Sequence, residues 1–331
     1  MVSRVADRWA RRVRMLVSVS AALLATAVGA CGSSGSDSGQ PSSERVAERD
    51  PAKDKLAQIQ ARGTLVEYFE NDYPPQSMKV NAATRPAGTK CADNQLTAAE
   101  VTGYDNDVPK LVAKQLGVEA CFFAPTWTEV TAGNWGDRWD IAYGSGSINA
   151  DRMKRLYMTQ PYYAVPNLYF VAKGSRYRKP ADLDGKRIGA CADCSHELYL
   201  KGTLEIPTKP VTLNVDDPKL VTFEAEGPGL AAVAKGRIDA FLAADPVGRA
   251  RIKEGAALRE IPNVAFTYYP SGFVDKSSGL DSRAFVQRVN RIVQGFHADG
   301  TLKRLSLKWF GEDYASAAAK FDVDALDQTV E

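Results

Sequence analysis

The sequence predicts an α/β fold in which mostly parallel sheets are flanked by helices. Short runs rich in Val, Ile, Phe and Tyr alternate with helical patterns through most of the chain. The order strand, helix, strand over 65–123 has the form of a βαβ unit. Three helical patterns stop at Gly117, Gly236 and Gly300, and glycine closes helices because it tolerates the left-handed conformation. Alternation of this kind sets parallel strands side by side with crossover helices on their faces.

The elements follow in order. Leu56 and Ile59 suggest a short helix leading into a strand at 65–69. The loop 70–75 ends in Pro74-Pro75, which forces an extended turn. The segment 81–100 reads as a polar, irregular insertion. A helix starts near Asp105 or Asn106, with Pro109 tolerated in its first turn. Val108, Leu111, Val112 and Leu116 share one face of it. Strands are expected at 120–123, 139–143, 168–172, 186–190, 220–223 and 238–242, with helices at 196–204 and 229–235. Phe285, Val286, Val289, Ile292, Val293 and Phe296 mark an amphipathic helix. A last helix carries Leu302, Leu305 and Trp309. No internal repeat is visible.

The N-terminus speaks of place. Arg4, Arg8, Arg11, Arg12 and Arg14 precede an apolar run over 15–30 that is too short and too rich in small residues for a comfortable membrane span. It reads as a signal peptide, residues 1–30. Val28-Gly29-Ala30-Cys31 resembles a bacterial lipobox, which implies cleavage before Cys31 and acylation of its sulfur, palmitate included. Residues 31–55 form a Gly/Ser-rich flexible linker. The expected location is therefore extracytoplasmic, anchored to the outer face of the cell membrane. Removing residues 1–30 takes away five arginines and one aspartate, so the formal net charge falls from +2 to −2. That leaves no electrostatic footprint for nucleic acid.

Of five cysteines, four remain once Cys31 is acylated. Outside the cytoplasm an even count suggests disulfides, and three pairings are open. Proximity favours Cys191–Cys194, which leaves Cys91–Cys121 to staple the 81–100 insertion. Strand–CxxC–helix is also where a thiol-disulfide oxidoreductase places its redox pair, although Cys191-Ala192-Asp193-Cys194 lacks the flanking Trp and Gly-Pro of that class. Cys191, Cys194 and His196 make a metal set without a visible fourth ligand, so no metal is expected. His196 and His297 read as incidental, and Asp239 as structural.

One loop carries the chemistry. After the 139–143 run come Gly144-Ser145-Gly146-Ser147, then Arg152. Small residues let a ligand approach the backbone, hydroxyls donate or accept, and a guanidinium grips a carboxylate with two parallel bonds. The combination points to a small molecule bearing a carboxylate.

Several motifs in sequence order resemble one family. They are Arg62-Gly63-Thr64-Leu65, Tyr73-Pro74-Pro75, Gly103-Tyr104-Asp105-Asn106-Asp107, the Ser147 to Arg152 loop and Thr159-Gln160-Pro161-Tyr162-Tyr163. Asp182-Leu183-Asp184-Gly185-Lys186, Gly236-Arg237-Ile238-Asp239-Ala240 and Lys308-Trp309-Phe310-Gly311 follow. From about residue 56 to 312, the chain resembles bacterial extracellular solute-binding proteins of family 3, the amino-acid receptors of ABC importers. The resemblance implies a two-lobed, periplasmic-binding-protein-like (type II) fold joined by two crossover strands. Lobe 1 would hold 56–168 and, after lobe 2 (169–266), the return 267–331 with its C-terminal tail.

By the same resemblance, Arg152 grips the ligand's α-carboxylate, while Ser145 and Ser147 contact its carboxylate and amine. Cys194 and Ser195 offer a second-lobe helix N-terminus to the carboxylate. Asp245, one residue beyond the family's commonest spacing, accepts the α-amine. Tyr73 and Trp127 wall the ligand. Glu70 reads its side chain, which favours a polar or cationic amino acid. The implied protein is a monomeric binder, not an enzyme, that needs no cofactor and delivers its ligand to a membrane permease. A sensor that reports to a membrane signalling protein, or a dehydratase on the same scaffold, are the other readings. The Cys191/Cys194 turn departs from the family, whose members usually carry a short Gly/Thr turn there.

Overall fold

The structure is a computed structural model that describes residues 49–328 apart from Asp72 and Thr208. The signal segment, Cys31 and most of the tether lie outside the described residues. α1 (Lys55–Arg62) is capped by Asp54, whose carboxylate accepts the Ala57 N–H at 2.9 Å, and ends at Gly63 with φ 75°. The linker drawn to residue 55 therefore stops earlier. Asp54 bridges to Asp281 and Lys55 is buried.

β1 (Thr64–Tyr68) is buried throughout. β2 (Met78–Lys79), β3 (Leu96–Thr97) and β4 (Val101–Thr102) follow, then α2 (Tyr104–Leu116) and β5 (Glu119–Phe123). β1 and β5 pair in parallel, Leu65 opposite Ala120, with α2 between them in sequence. The 81–100 insertion is less irregular than its composition suggests. β3 pairs antiparallel with β5, and a Cys91–Cys121 disulfide ties the insertion to the same strand.

α3 (Trp127–Ala132), α4 (Ala150–Met153) and β6 (Leu156–Met158) come next. The strand expected at 139–143 is reduced to two isolated bridges, Ile141 to Glu67 and Ala142 to Phe273. Asp140 explains part of this. Its carboxylate accepts the Val66 N–H at 2.8 Å and pairs with Arg62, so a side chain stands where a ladder bond would run.

The second lobe begins with β7 (Val165–Ala172) and continues through β8 (Arg187–Cys191), α5 (Ser195–Leu200), β9 (Lys219–Phe223) and α6 (Glu226–Ala234). β10 (Ala240–Ala244), α7 (Asp245–Lys253), β11 (Leu258–Glu260) and β12 (Phe266–Tyr268) complete it. The sheet order is β11-β7-β10-β8-β9, with β12 also on β7. β8 runs parallel to β9 and β10, while β7 runs antiparallel to β10, β11 and β12. α5 is shorter than its apolar pattern suggests, because the chain turns at Gly202 with φ 70°. α6 starts three residues before the expected 229, with Pro228 accommodated in its first turn, where a missing N–H costs nothing.

The chain crosses into lobe 2 along β7 and returns along β12, Val165 opposite Tyr268. It then forms β13 (Phe273–Asp275), which pairs with β6. α8 (Arg283–Ala298) buries the six apolar residues that marked it in the sequence. At about 1.5–3 kcal/mol for each fully buried side chain, that face anchors the returning segment. α9 (Thr301–Phe310) and α10 (Ala315–Ala318) follow. Among the described residues, no helix is long and apolar enough to cross a membrane.

Candidate functional site

A pocket between the lobes is lined from lobe 1 by Arg152, Ser145 and Ser147 and from lobe 2 by Cys194, Ser195 and Glu226. The glycines of the arginine loop make room for rings. A Cβ on Gly144 would lie 2.3 Å from the Tyr68 ring, and one on Gly146 would lie 2.3 Å from the Phe273 ring. Asn149 caps α4, its side-chain oxygen accepting the Arg152 N–H at 2.8 Å. The Arg152 guanidinium lies 5.1 Å from the Trp127 ring centre and 5.5 Å from that of Phe273. It donates to the Ser147 carbonyl at 3.0 Å and to the Asp193 carbonyl, across the cleft, at 2.9 Å. Three of its five N–H groups remain for a carboxylate. Burial lowers its pKa to about 10, so it stays charged at neutral pH.

The two serines are placed as the sequence suggested, but their hydroxyls serve the loop. Ser145, at φ 55°, donates to the Asp105 carboxylate and also meets the Tyr163 hydroxyl. The Tyr162 hydroxyl donates to the other Asp105 oxygen at 2.7 Å and accepts the Ser145 N–H at 3.1 Å. Burial pushes Asp105 up to about 7, against these hydrogen bonds. Ser147 donates to the Ile148 carbonyl at 3.1 Å and accepts the Tyr269 N–H at 3.3 Å. Its contribution is to lock the loop onto the returning strand.

On lobe 2, Cys191 and Cys194 form a disulfide between the end of β8 and the cap of α5. Ser195 accepts from the Asn149 amide at 3.4 Å, a bond from lobe to lobe. α5 has six residues, too short to supply the helix-end field expected of it. His196 is fixed in the wall. Its Nε2 donates to Asn167 Oδ1 at 2.6 Å, since the Asn167 amide nitrogen is committed to the Val165 and Phe266 carbonyls. Its Nδ1 faces Cys191 Sγ at 3.5 Å and Glu226 Oε1 at 3.6 Å. Burial lowers its pKa to about 3, aided by the charge of Arg152, so the ring is neutral. The Cys191, Cys194 and His196 ligand atoms cluster within 4.8 Å, but the two sulfurs are spent on each other.

Asp245 is not in the pocket. It opens α7, where its carboxylate accepts from Arg249 and from the Tyr314 hydroxyl. β10 ends at Ala244, and Asp245 follows as the first residue of α7. Glu226, the first residue of α6, does line the pocket. It is 4% exposed, and among the described residues its Oε2 has no hydrogen-bond partner. Burial, opposed by the Ala244 N–H and reinforced by the charge of Glu70, pushes its carboxyl up to about 8.

Tyr73, Trp127 and Glu70 all line the pocket, joined by Tyr268 from β12. Glu70 accepts from the Tyr68 hydroxyl at 3.0 Å, and burial raises it to about 7. Sequence reasoning passed over Glu226 and Tyr268. Beginning α6 three residues earlier would have put Glu226 in its first turn. Nothing in the short 266–268 run marks Tyr268 as facing a ligand.

The profile of the bacterial extracellular solute-binding proteins, family 3, matches residues 65–312. The chain belongs to that family. The L-cystine-binding protein TcyJ of Escherichia coli K12 is 26% identical over 260 residues, covering 78% of this chain and 86% of that protein. The ABC transporter arginine-binding protein 1 of the same organism is 24% identical over 215 residues, covering 64% of this chain and 82% of its own. The crystal structure of the ancestral amino acid-binding protein AncCDT-1, a precursor of cyclohexadienyl dehydratase, superposes with a TM-score of 0.61. It is 25% identical and covers 78% of this chain and 99% of that one. The two-lobed, type II architecture is thus that of a family 3 solute-binding protein.

Proposed function

We propose that this family 3 receptor captures a free amino acid in its zwitterionic form and delivers it to an ABC importer in the membrane. One observation carries the reading. A buried guanidinium, Arg152, and a buried carboxyl with an unpartnered oxygen, Glu226, line one cleft from opposite lobes. A zwitterion satisfies both. Its carboxylate takes the remaining Arg152 donors and its ammonium takes Glu226, so the ligand bridges the lobes and favours closure. Glu70, Tyr73 and Trp127 then wall the side chain, and the acid among them favours a polar or cationic one. The names of the cystine- and arginine-binding relatives agree with that preference. The lipobox-like Cys31 supports a receptor tethered to the outer face of the membrane. The cleft suits holding a zwitterion rather than reacting with it.

Titration calorimetry with a panel of amino acids tests this. The intact protein is expected to bind at least one of them. Arg152→Ala strands a desolvated carboxylate at a cost of about 2–5 kcal/mol, which is roughly 30-fold or more in affinity. Unchanged affinity in that variant would remove Arg152 from the site.

A further inference from the structure

The residue that makes most of the bonds across the cleft is neither Arg152 nor Glu226 but Asp193, inside the disulfide turn. Its carbonyl accepts from Arg152 at 2.9 Å and from the Trp127 indole N–H at 3.4 Å. Its carboxylate accepts from the Thr128 hydroxyl at 2.8 Å. All three donors belong to lobe 1. Asp193 reaches them by adopting φ 58°, a left-handed conformation that Asp tolerates better than most residues. The turn is held on both sides. The Ala192 N–H donates to the Phe223 carbonyl at 2.8 Å, and the Asp193 N–H donates to Glu197 at 2.8 Å. The Cys191–Cys194 bond closes it.

We infer that Asp193, fixed by the Cys191–Cys194 disulfide, is a latch that aims Arg152 and holds the lobes together, so that ligand retention responds to thiols. The inference deepens the amino-acid reading and rests on it for the affinity arm alone. A dithiol reductant supplies two electrons and two protons. The S–S bond becomes two thiols, and the reductant leaves as its own cyclic disulfide. Cys194 is half-buried in the cleft wall, whereas Cys91 and Cys121 are both buried, so the cleft disulfide is the one within reach. Opening it frees Asp193 from its turn. Lobe 1 then loses the Trp127 and Thr128 partners, and Arg152 loses one of the two carbonyls that aim it.

The test compares the mature protein, the same protein after dithiothreitol, and Cys191→Ser/Cys194→Ser. Two readings are taken: hydrogen exchange without ligand, and calorimetric affinity for L-arginine. Exchange over 126–132 is expected to accelerate in both disulfide-free forms, although the altered residues lie at least 59 positions away on the other lobe. Affinity for L-arginine is expected to fall about tenfold, the loss of one or two modest hydrogen bonds. Thr128→Ala leaves the disulfide intact and is expected to accelerate exchange over 191–196 in turn, which covers the case of a double variant that does not fold. Changes confined to 191–200 in the disulfide-free forms, or no change over 191–196 in Thr128→Ala, overturn the latch. If the intact protein does not bind L-arginine, the ligand assignment fails for that probe, while the exchange comparison still decides the latch.

Discussion

Glu226 lines the cleft where Asp245 does not, and the difference has consequences that can be measured. Glu226→Gln keeps the shape but removes a carboxyl that can ionise against the ligand's ammonium, so affinity for the amino acid is expected to fall by about 10- to 100-fold. Asp245→Asn, altering a carboxylate that lies outside the cleft, is expected to leave affinity unchanged in the same titration. Buried acids in and behind the cleft also set a pH dependence. Glu70 and Asp105 rise to about 7 and Glu226 to about 8, all above the ordinary carboxyl range. In that interval the folded protein holds protons that the unfolded chain has released, so stability declines as pH rises and levels off above about 8. His196, lowered to about 3, works in the opposite sense, but only below its ordinary value near 6.5. Between pH 6.5 and 8 the carboxyls act alone. The melting temperature of the ligand-free protein is therefore expected to drop across that window, and Glu226→Gln to flatten the drop. A melting temperature that rises over the window would refute the raised carboxyls.

Among the elements, those with a strong period were legible and those defined by partners were not. The α8 face could be read residue by residue, because burial against a core imposes the helical repeat directly on the sequence. β3, at two residues, has no pattern of its own and exists because β5 offers an edge and a disulfide holds it there. The 139–143 run fooled the pattern from the other side. It is buried like a strand, but Asp140 spends its side chain on the neighbouring backbone. The Cys91–Cys121 bond spans 30 positions, and a chain-entropy argument assigns it about 3–4 kcal/mol. Cys91→Ser/Cys121→Ser is accordingly expected to melt well below the parent. Because neither cysteine lines the cleft, calorimetry should return the parent affinity; a large loss of affinity would mean that the insertion reaches the site.

At the scale of the whole molecule, motif order in the sequence announced the family, the two lobes and the arginine loop. It did not single out Glu226, because the spacing that pointed to Asp245 does not reveal which way a side chain turns, and the Asp245 carboxylate is buried against Arg249 and Tyr314 outside the pocket. Anchoring is tested on the intact precursor. Cys31→Ala is expected to move the protein from the membrane fraction to the soluble fraction, and retention in the membrane fraction would argue against a lipid tether. The returning strand has a final consequence, in the order of synthesis. The Arg152 loop is pinned by Tyr269, Pro270 and Ser271: the Ile148 N–H donates to Tyr269 at 3.1 Å and the Ser271 N–H donates to Gly146 at 3.0 Å. The α8 residues that complete the same core come later still. Lobe 2 is one unbroken stretch of chain and can condense as soon as it has emerged, whereas lobe 1, begun first, must wait for the C-terminal segment. The Arg152 loop is therefore the last part of the pocket to be finished, and an interrupted chain would present an acid-lined lobe with nothing to close against.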